Sequence, residues 1–544
     1  MEPFRPQSQL ETHEVLNQPA PRTSVPLWAG DAPLREAIER LAPDHVAEVT
    51  AFAETIATAE MVESGRLANR FPPEQVSFDR SGRRLDEVHF HPAYHALLSA
   101  GFAGGYAALP WTADAPGGHV AHAAMVYMLT QVEPGVCCPL TMAYAAIPAL
   151  EANAALRARW RPGLLSRAYD PRFIPAVQKS GLTIGMAMTE KQGGSDLRAN
   201  TTRAEPDGDG YRLFGHKWFC SAPMSDGFLT LAQLPEGLTC FLVPRWAPDD
   251  TRNAIHLMRL KDKLGNRANA SAEIEYHGAW AERLGEPGRG VATIVEMVHH
   301  TRLDTALAPA GLMRRALSEA AWWARERNAF GKKLIDQPLM AAVLADLALD
   351  WLGALAAGMR VAQAFDRGQT DPAERAFARL AVAIAKYWNN KRCGPLVLEA
   401  MECMGGNGFV EEGPLPWLYR EAPLNAIWEG SGNVICLDVL RTITRSPESL
   451  ELFYAELEQA IGADRQFDLA VKVTKDRFAK GVAEVEARSF VERLALLLQG
   501  SLLLRSAQPE VADAFIRTRL GSEGGRTPGT LPPGVAVARI AALI

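Results

Sequence analysis

The sequence predicts a mainly α-helical protein with one central β-domain, a helical unit on each side of it, and a further helical extension at the carboxy-terminal end. Three observations lead there. From Leu34 to about Ser180, stretches such as "PLREAIERLAPDHVAEVTAFAETIATAEMVESGRLA" place apolar residues three and four apart, the spacing of an amphipathic helix. From Gly185 to about Gly290 the texture changes to short aromatic or β-branched runs, "YRLFGHKWF", "GFLTLAQL", "LTCFLVPRW" and "SAEIEYHG", punctuated by Gly, Asp and Pro. From Val291 to Arg445 long Ala/Leu-rich stretches return, among them "MAAVLADLALDWLGALAAGMRVAQAFDRG", long enough to build a bundle.

Taken in order, residues 1–184 form an N-terminal helical domain, interrupted by proline-bearing loops such as "RFPPEQVSFDRSGRRLDEVHFHP". Residues 185–292 form an antiparallel β-domain rather than a Rossmann unit, because no helix-length segment alternates with the strands. Residues 293–445 form a helical bundle. After "TRSPES", residues 446–544 form the extension, with helical "LELFYAELEQAIG" and "ARSFVERLALLLQGSLLLR" and then Gly/Pro-rich "GSEGGRTPGTLPPG". A chain of 544 residues has room for this many units at ~150 residues each.

Composition excludes little. A net charge of −6 gives no global reason to expect a nucleic-acid or membrane partner. No uninterrupted apolar run approaches the ~20 residues of a membrane span. The amino-terminal stretch is polar and proline-rich, without the apolar core of a secretion signal. Seven scattered cysteines (137, 138, 220, 240, 393, 403 and 436) form no CxxC pair, which predicts reduced thiols in a cytoplasmic protein. Adjacent Cys137 and Cys138 read most simply as two small core residues.

Two stretches carry chemistry. In "GMAMTEKQGGSDLRANTTR", small residues and hydroxyls at a helix-to-strand boundary form a loop that can approach a planar or phosphorylated ligand and donate hydrogen bonds to it; a plain connector is the alternative. No GK(S/T) follows, and no G-x-G-x-x-G opens a helix elsewhere. In "NAIWEGSGNVICLDVLR", Glu429 sits between a tryptophan and a Gly-Ser-Gly turn. Either it escapes to solvent at the turn, or it is a desolvated carboxylate with a raised pKa, fit to act as a base.

Five segments resemble, in order, the motifs of the acyl-CoA dehydrogenase family. They are "MTEKQGGSD", "GHKWFCSAP", "RNAFGKKLIDQPLM", "MECMGGNGF" and "YREAPLNAIWEGSGNVICLDVLR". The stretches "KQGGSDLRANTTRAE", "LKDKLGNRANAS" and "GRRLDEVHFHPAYH", with the extra carboxy-terminal domain, are most similar to the family's alkylation-response branch. The resemblance implies an acyl-CoA dehydrogenase-like fold with FAD in the cleft between its domains, and an acyl-CoA-type substrate. It implies flavin contacts from Met186, Met188, Thr189, Gly194, Ser195, Trp218, Phe219, Cys220 and Ser221, though rings at "KWF" could equally be β-domain core. Further cofactor contacts are implied at Ile427, Trp428, Gly430, Ser431, Asn433 and Leu437.

Arg327, Phe330 and Gln337, with Gly405 and Gly406, match positions that meet the FAD of a neighbouring subunit, which implies a homotetramer built as a dimer of dimers. A guanidinium fork suits pyrophosphate. Glu429 matches the catalytic base. Arg441 resembles an arginine that approaches that base and would weaken it, and Arg302 could face the acyl-CoA. Electron-transferring flavoprotein is the implied electron acceptor. "KQGG" departs from the family's proline-bearing turn, which favours low turnover.

The histidines of "HFHPAYH" (89, 91 and 95) could present imidazoles to zinc, but polar surface or helix-start histidines fit better, so no metal is expected. The branch implies double-stranded DNA binding through the extension, where Lys472, Lys475, Arg477, Arg517 and Arg519 are candidates. Interspersed acids make bundle extension or subunit contact an equal alternative. Two functions stand: an FAD-dependent oxidoreductase with Glu429 as base, or a DNA-binding, DNA-protecting flavoprotein with a vestigial site.

Overall fold

The computed structural model describes residues 6–544; the first five residues of the polar amino-terminal stretch lie outside it. The N-terminal helices are α1 (Ala32–Leu41), α2 (Val46–Ile56), α3 (Ala59–Arg70), α4 (Pro92–Ala103), α5 (Leu109–Thr112), α6 (Gly118–Thr130), α7 (Cys137–Leu150) and α8 (Ala154–Leu164). Local signals set their starts: Asp31, Thr58, His91 and Asn153 each accept a backbone N–H at the head of a helix. Every residue of α6 is buried, as a helix that is apolar on all sides requires.

The proline-bearing stretch between α3 and α4, expected as a loop, is an antiparallel hairpin of β1 (Glu74–Phe78) and β2 (Arg84–His89). Asp79 closes its turn by accepting from the amides of Ser81 and Arg83. Only a weak two-residue alternation marks these strands, and Asp86 and Gln75 fasten them to the main chain of Leu257 in the β-domain.

The β-domain holds β3 (Ile184–Ala187), β4 (Arg203–Asp207), β5 (Gly210–Ser221), β6 (Gly227–Leu234), β7 (Gly237–Pro244), β8 (Ile255–Leu260) and β9 (Ser271–Leu284). Pairings β6–β4, β4–β5, β5–β9, β9–β7 and β7–β6 close a circuit, with β3 added to β6 and β8 to β9. The sheet is not wholly antiparallel: β3 runs parallel to β6, and β4 meets β6 in the same sense. Strand β6 is buried on both faces. Phe228 and Ala232 enter the core inside the sheet, while Leu229 and Leu231 join the core shared with the helices, so its sequence reads as one apolar run rather than an alternation.

The bundle consists of α9 (Gly290–Glu326), α10 (Pro338–Arg367), α11 (Pro372–Cys403), α12 (Leu415–Glu421) and α13 (Gly432–Arg445). Helix α9 runs unbroken through Pro309. Helix α10 has the length and mean hydropathy of a membrane span, although Asp346, Asp350 and Arg360 interrupt its apolar run. Most of it is buried inside the chain, as in the core helix of a bundle.

The extension adds α14 (Glu448–Glu458), α15 (Arg465–Phe478), α16 (Ala487–Ser506), α17 (Pro509–Phe515) and α18 (Val537–Ala541). It is a second layer on the bundle: the middle of α16 is buried, and its core is continuous with that of α10 and α11.

Candidate active site

The turn between α12 and α13 carries Glu429 in a left-handed conformation, φ 56°, followed by Gly430 at φ 101°. Glycine takes such angles freely, whereas a side-chain-bearing residue there costs about 1–2 kcal/mol. Three successive carbonyls of this turn are held by basic side chains. Lys386 on α11 donates from Nζ to the carbonyl of Trp428 at 2.9 Å and to that of Gly430. Arg302 on α9 donates from Nε to the carbonyl of Glu429 at 3.2 Å. The Trp428 indole donates to Asn425 at 2.6 Å.

The Glu429 carboxylate keeps some access to solvent yet lies deep in the protein mass. Burial raises its pKa above the ordinary carboxylate value. A hydrogen bond of 2.7 Å from the Thr301 hydroxyl and the charges of Arg302 and Lys386 oppose that rise, and Asp304 adds to it. Asp304 lies one turn further along α9 in a buried polar network, accepting from Thr141 at 2.5 Å and Tyr106 at 3.1 Å and meeting His122 Nε2 at 2.8 Å. Neighbouring His299 and His300 are held neutral by burial, His300 with a pKa pushed down to about 4.

Other walls come from other domains. Cys138 on α7, expected in the core, is half-buried beside Ser221. Burial pushes its thiol up to about 11; the Ser221 hydroxyl opposes the rise and Glu429 adds to it. N-terminal helix, β-domain and bundle therefore meet around Glu429.

The loop at residues 188–202 is pinned by a pair that sequence reasoning missed. Glu190 and Lys217 are both fully buried and meet at 2.9 Å. Burial alone would raise the Glu190 pKa; the Lys217 ammonium, the Gln192 amide and the Thr201 amide hold it well below the carboxylate range. The pair joins "MTEKQGGSD" to "GHKWFCSAP", and the Trp218 amide donates to the Thr189 carbonyl at 2.8 Å beside it. The sequence offers a Glu and a Lys at corresponding places in two neighbouring motifs, but their other polar residues hide the pairing.

The remaining predicted positions divide. Met186, Met188 and Thr189 are half-buried on or just after β3, and Gly194 and Ser195 lie in the open loop. A Cβ on Gly194 would come within 2.5 Å of the Thr189 hydroxyl, so only glycine fits there. Phe219 is 54% exposed and Ile427 63%, with Leu437, Ser431 and Asn433 also open to solvent.

At Trp218 the Lys261 ammonium stands 3.2 Å from the ring centre and engages one face within the chain. The Cys220 side chain departs from expectation, being fully buried in the β-domain core with a thiol pushed up to about 12 by burial.

Arg441 does not approach Glu429. Its side chain is 58% exposed and sits 3.7 Å from Asp438, which also binds Arg302 at 2.7 Å and Arg379 at 3.0 Å. Arg302, expected to face a substrate, is instead engaged with Asp438 and the Glu429 carbonyl. Arg327, Phe330 and Gln337 lie at or beyond the far end of α9. At ~1.5 Å per residue, Thr301 and Arg327 are separated by roughly 39 Å, so these residues do not join Glu429 within one chain. Arg327 donates to the Asn17 carbonyl at 2.6 Å, Gln337 to that of Ala329, and Phe330 is 98% exposed. Gly405 and Gly406 are exposed, with open space where a Cβ would stand.

The histidines expected as a polar group have separate tasks: His89 meets Glu87, His91 caps α4, and His95 meets the Tyr169 hydroxyl at 2.9 Å. Of the DNA candidates, Arg519 is corrected outright, since it is buried between Asp346 and Asp350 of α10. Lys475 pairs with Glu458, Arg477 with Glu486, and Arg517 with Asp513 and Glu523. Lys472 is exposed.

A β-domain lies between two helical units, with a desolvated glutamate where they meet, and family comparisons match each of the three units. The chain belongs to the acyl-CoA dehydrogenase family, in its AidB branch. It matches the AidB N-terminal domain over residues 17–171, and the acyl-CoA dehydrogenase middle and C-terminal domains over residues 185–279 and 288–444. It is 46% identical to AidB of Escherichia coli (strain K12) over 95% of this chain and 96% of that one.

The crystal structure of Caenorhabditis elegans ACDH-11 in complex with C11-CoA superposes with a TM-score of 0.83 at 28% identity, covering 91% of this chain and 92% of that one. A Bacillus anthracis acyl-CoA dehydrogenase complexed with FAD shares the fold at 18% identity, with a TM-score of 0.67 over 88% of this chain and 83% of that one.

Proposed function

We propose that the chain is an FAD-dependent oxidoreductase of acyl-CoA thioesters in which Glu429 removes the proton alpha to the carbonyl. The observation that carries this reading is the Glu429 carboxylate. It is desolvated enough for its pKa to rise, yet open to the cleft and oriented by Thr301. A base gains strength as its pKa approaches the working pH.

The residues present fit FAD. Exposed Phe219, Ile427 and Leu437 offer apolar surface for a flat ring, and the hydroxyls of Thr189, Ser195 and Ser221 offer polar contacts beside it. The Gly193–Gly194 loop lets main-chain amides approach phosphate. Met186, Met188 and Gly194 would complete this half of the site. FAD, when bound, would take up the hydride from the beta carbon. Glu429 would hold the alpha proton, and the domains around the cleft would exclude water from it.

The remote set Arg327, Phe330, Gln337, Gly405 and Gly406 would serve the cofactor of a neighbouring subunit in a dimer of dimers, and the full exposure of the Phe330 ring supports this. Electron-transferring flavoprotein as acceptor, a cytoplasmic location and a part in the alkylation response follow from likeness to the branch. Contact with DNA has less support, because four of the five candidate cations are already paired with acids.

Reconstitution with FAD and anaerobic titration with acyl-CoAs of graded length tests the reading. Bleaching of the flavin absorbance is expected. Failure to retain FAD, or no bleaching with any thioester while the protein retains DNA in a salt-sensitive manner, would overturn it.

A further inference from the structure

Lys386 is almost fully buried, with 1% of its surface exposed, and it forms no ion pair within 4.0 Å among the described residues. Glu429 is the one carboxylate whose charge acts on it; Arg302 and Lys391, the other charged groups that do, are cations. Burial without a direct counter-ion pushes the Lys386 pKa down to about 7, and so costly a group persists where its hydrogen bonds do something the fold requires. Those hydrogen bonds go to the carbonyls of Trp428 and Gly430, on either side of Glu429.

The carbonyl between them accepts from Arg302. Arg302 is in turn fixed by Asp438 on α13, the helix that begins directly after the turn, and Asp438 also collects Arg379 from α11 and Arg441. Two basic side chains from two bundle helices therefore take all three consecutive carbonyls of a turn whose central residue is in a strained, left-handed conformation.

We infer that Lys386 and Arg302 form a hydrogen-bonding clamp that positions Glu429, with Lys386 as its principal arm and Asp438 setting Arg302. Neither is a catalytic residue: each acts through the main chain of the turn. A carboxylate on a freely rotating turn would spend most of its time away from the reacting carbon, and a base misplaced by ~1 Å loses on the order of a hundredfold in rate. Arg441 belongs to the same device, one step removed, because it reaches the turn only through Asp438. The inference deepens the reading of Glu429 as a base, but its main-chain part holds whether or not that reading does.

The test uses the full-length, FAD-loaded protein and three variants: Lys386→Met, Lys386→Arg and Asp438→Asn. Hydrogen–deuterium exchange is followed in peptides covering residues 425–437, with peptides covering 190–202 as an internal reference. In Lys386→Met, exchange in the turn rises roughly tenfold or more while the reference is unchanged. Turnover falls with KM nearly constant, and Lys386→Arg, which keeps hydrogen-bond donors at this position, restores most of both. Asp438→Asn gives a smaller rise in the same peptides and covers the case in which Lys386→Met does not fold.

Unchanged turn exchange in both Lys386→Met and Asp438→Asn overturns the clamp, and so does an equal rise in the reference peptides. Failure of Glu429 as base appears separately, as turnover that survives Glu429→Gln while the exchange pattern of the Lys386 variants stands.

Discussion

The hydroxyl of Thr301 donates to Oε2 of Glu429 at 2.7 Å, joining the fourth turn of α9 to a carboxylate 128 positions later in the sequence. The bond favours the ionised form and so restrains the rise in pKa that burial imposes. Thr301→Val keeps the shape and removes the donor. A hydrogen bond to a charged group contributes ~1.5–3 kcal/mol, about one to two pH units. The acid limb of the pH–rate profile therefore shifts upward by about that much in Thr301→Val, measured as kcat/KM between pH 5 and 9.

The Glu190–Lys217 pair makes a stability prediction. Removing one member of a buried pair leaves the other uncompensated, at about 3–5 kcal/mol. Lys217→Met should lower thermal stability strongly and loosen the loop carrying Thr189, Gly194 and Ser195, so that FAD retention falls with it. Glu190→Gln/Lys217→Met, which removes both charges, should recover part of the loss in a thermal melt.

Glu133 gives a pH dependence with a defined sign. It is buried beside Glu421, and burial first, then the Glu421 charge, pushes its pKa up to about 8. A carboxylate whose folded pKa lies above its unfolded value of ~4.3 takes up a proton on folding between those limits. Its contribution is therefore intact at low pH and is lost as pH rises from ~4.3 towards 8. Glu133→Gln should flatten the fall in stability across that window, as read from urea unfolding at several pH values.

Arg519 separates the two views of the extension. It bridges Asp346 and Asp350, and Asp350 also holds Arg392. Arg519→Met should destabilise the chain by about 3–5 kcal/mol, as loss of one member of a buried charge network does. Exposed Lys472→Glu should change stability by less than ~0.5 kcal/mol. If the extension bound DNA, Lys472→Glu would weaken salt-sensitive DNA retention without changing the melt.

Much of the fold was legible because its signals are local. The long apolar helices follow from spacing, and the β-domain follows from strand runs between Gly and Pro. Glu429 was legible because a carboxylate between Trp428 and Gly430 is chemically out of place. The hairpin at residues 74–89 was not, since its alternation is weak and its partner, Leu257, is far away in sequence.

Arg441 and Arg302 were misplaced for one reason: Asp438 sits three residues before Arg441 on the same helix and gathers both guanidiniums together with that of Arg379, a competition that motif spacing does not display. Lys386 was invisible because it lies in the middle of an apolar helix, where nothing in the neighbouring residues says which carbonyls it will meet. Trp218 shows the same limit, its ring being claimed by Lys261 from a different strand-end loop.

The most direct measurement is exchange of the alpha protons of a bound acyl-CoA with D2O, followed by NMR in the wild type and in Glu429→Gln. The account predicts exchange in the FAD-loaded wild type and its loss by several hundredfold or more in the variant, which keeps its flavin. Exchange at the wild-type rate in Glu429→Gln would contradict it.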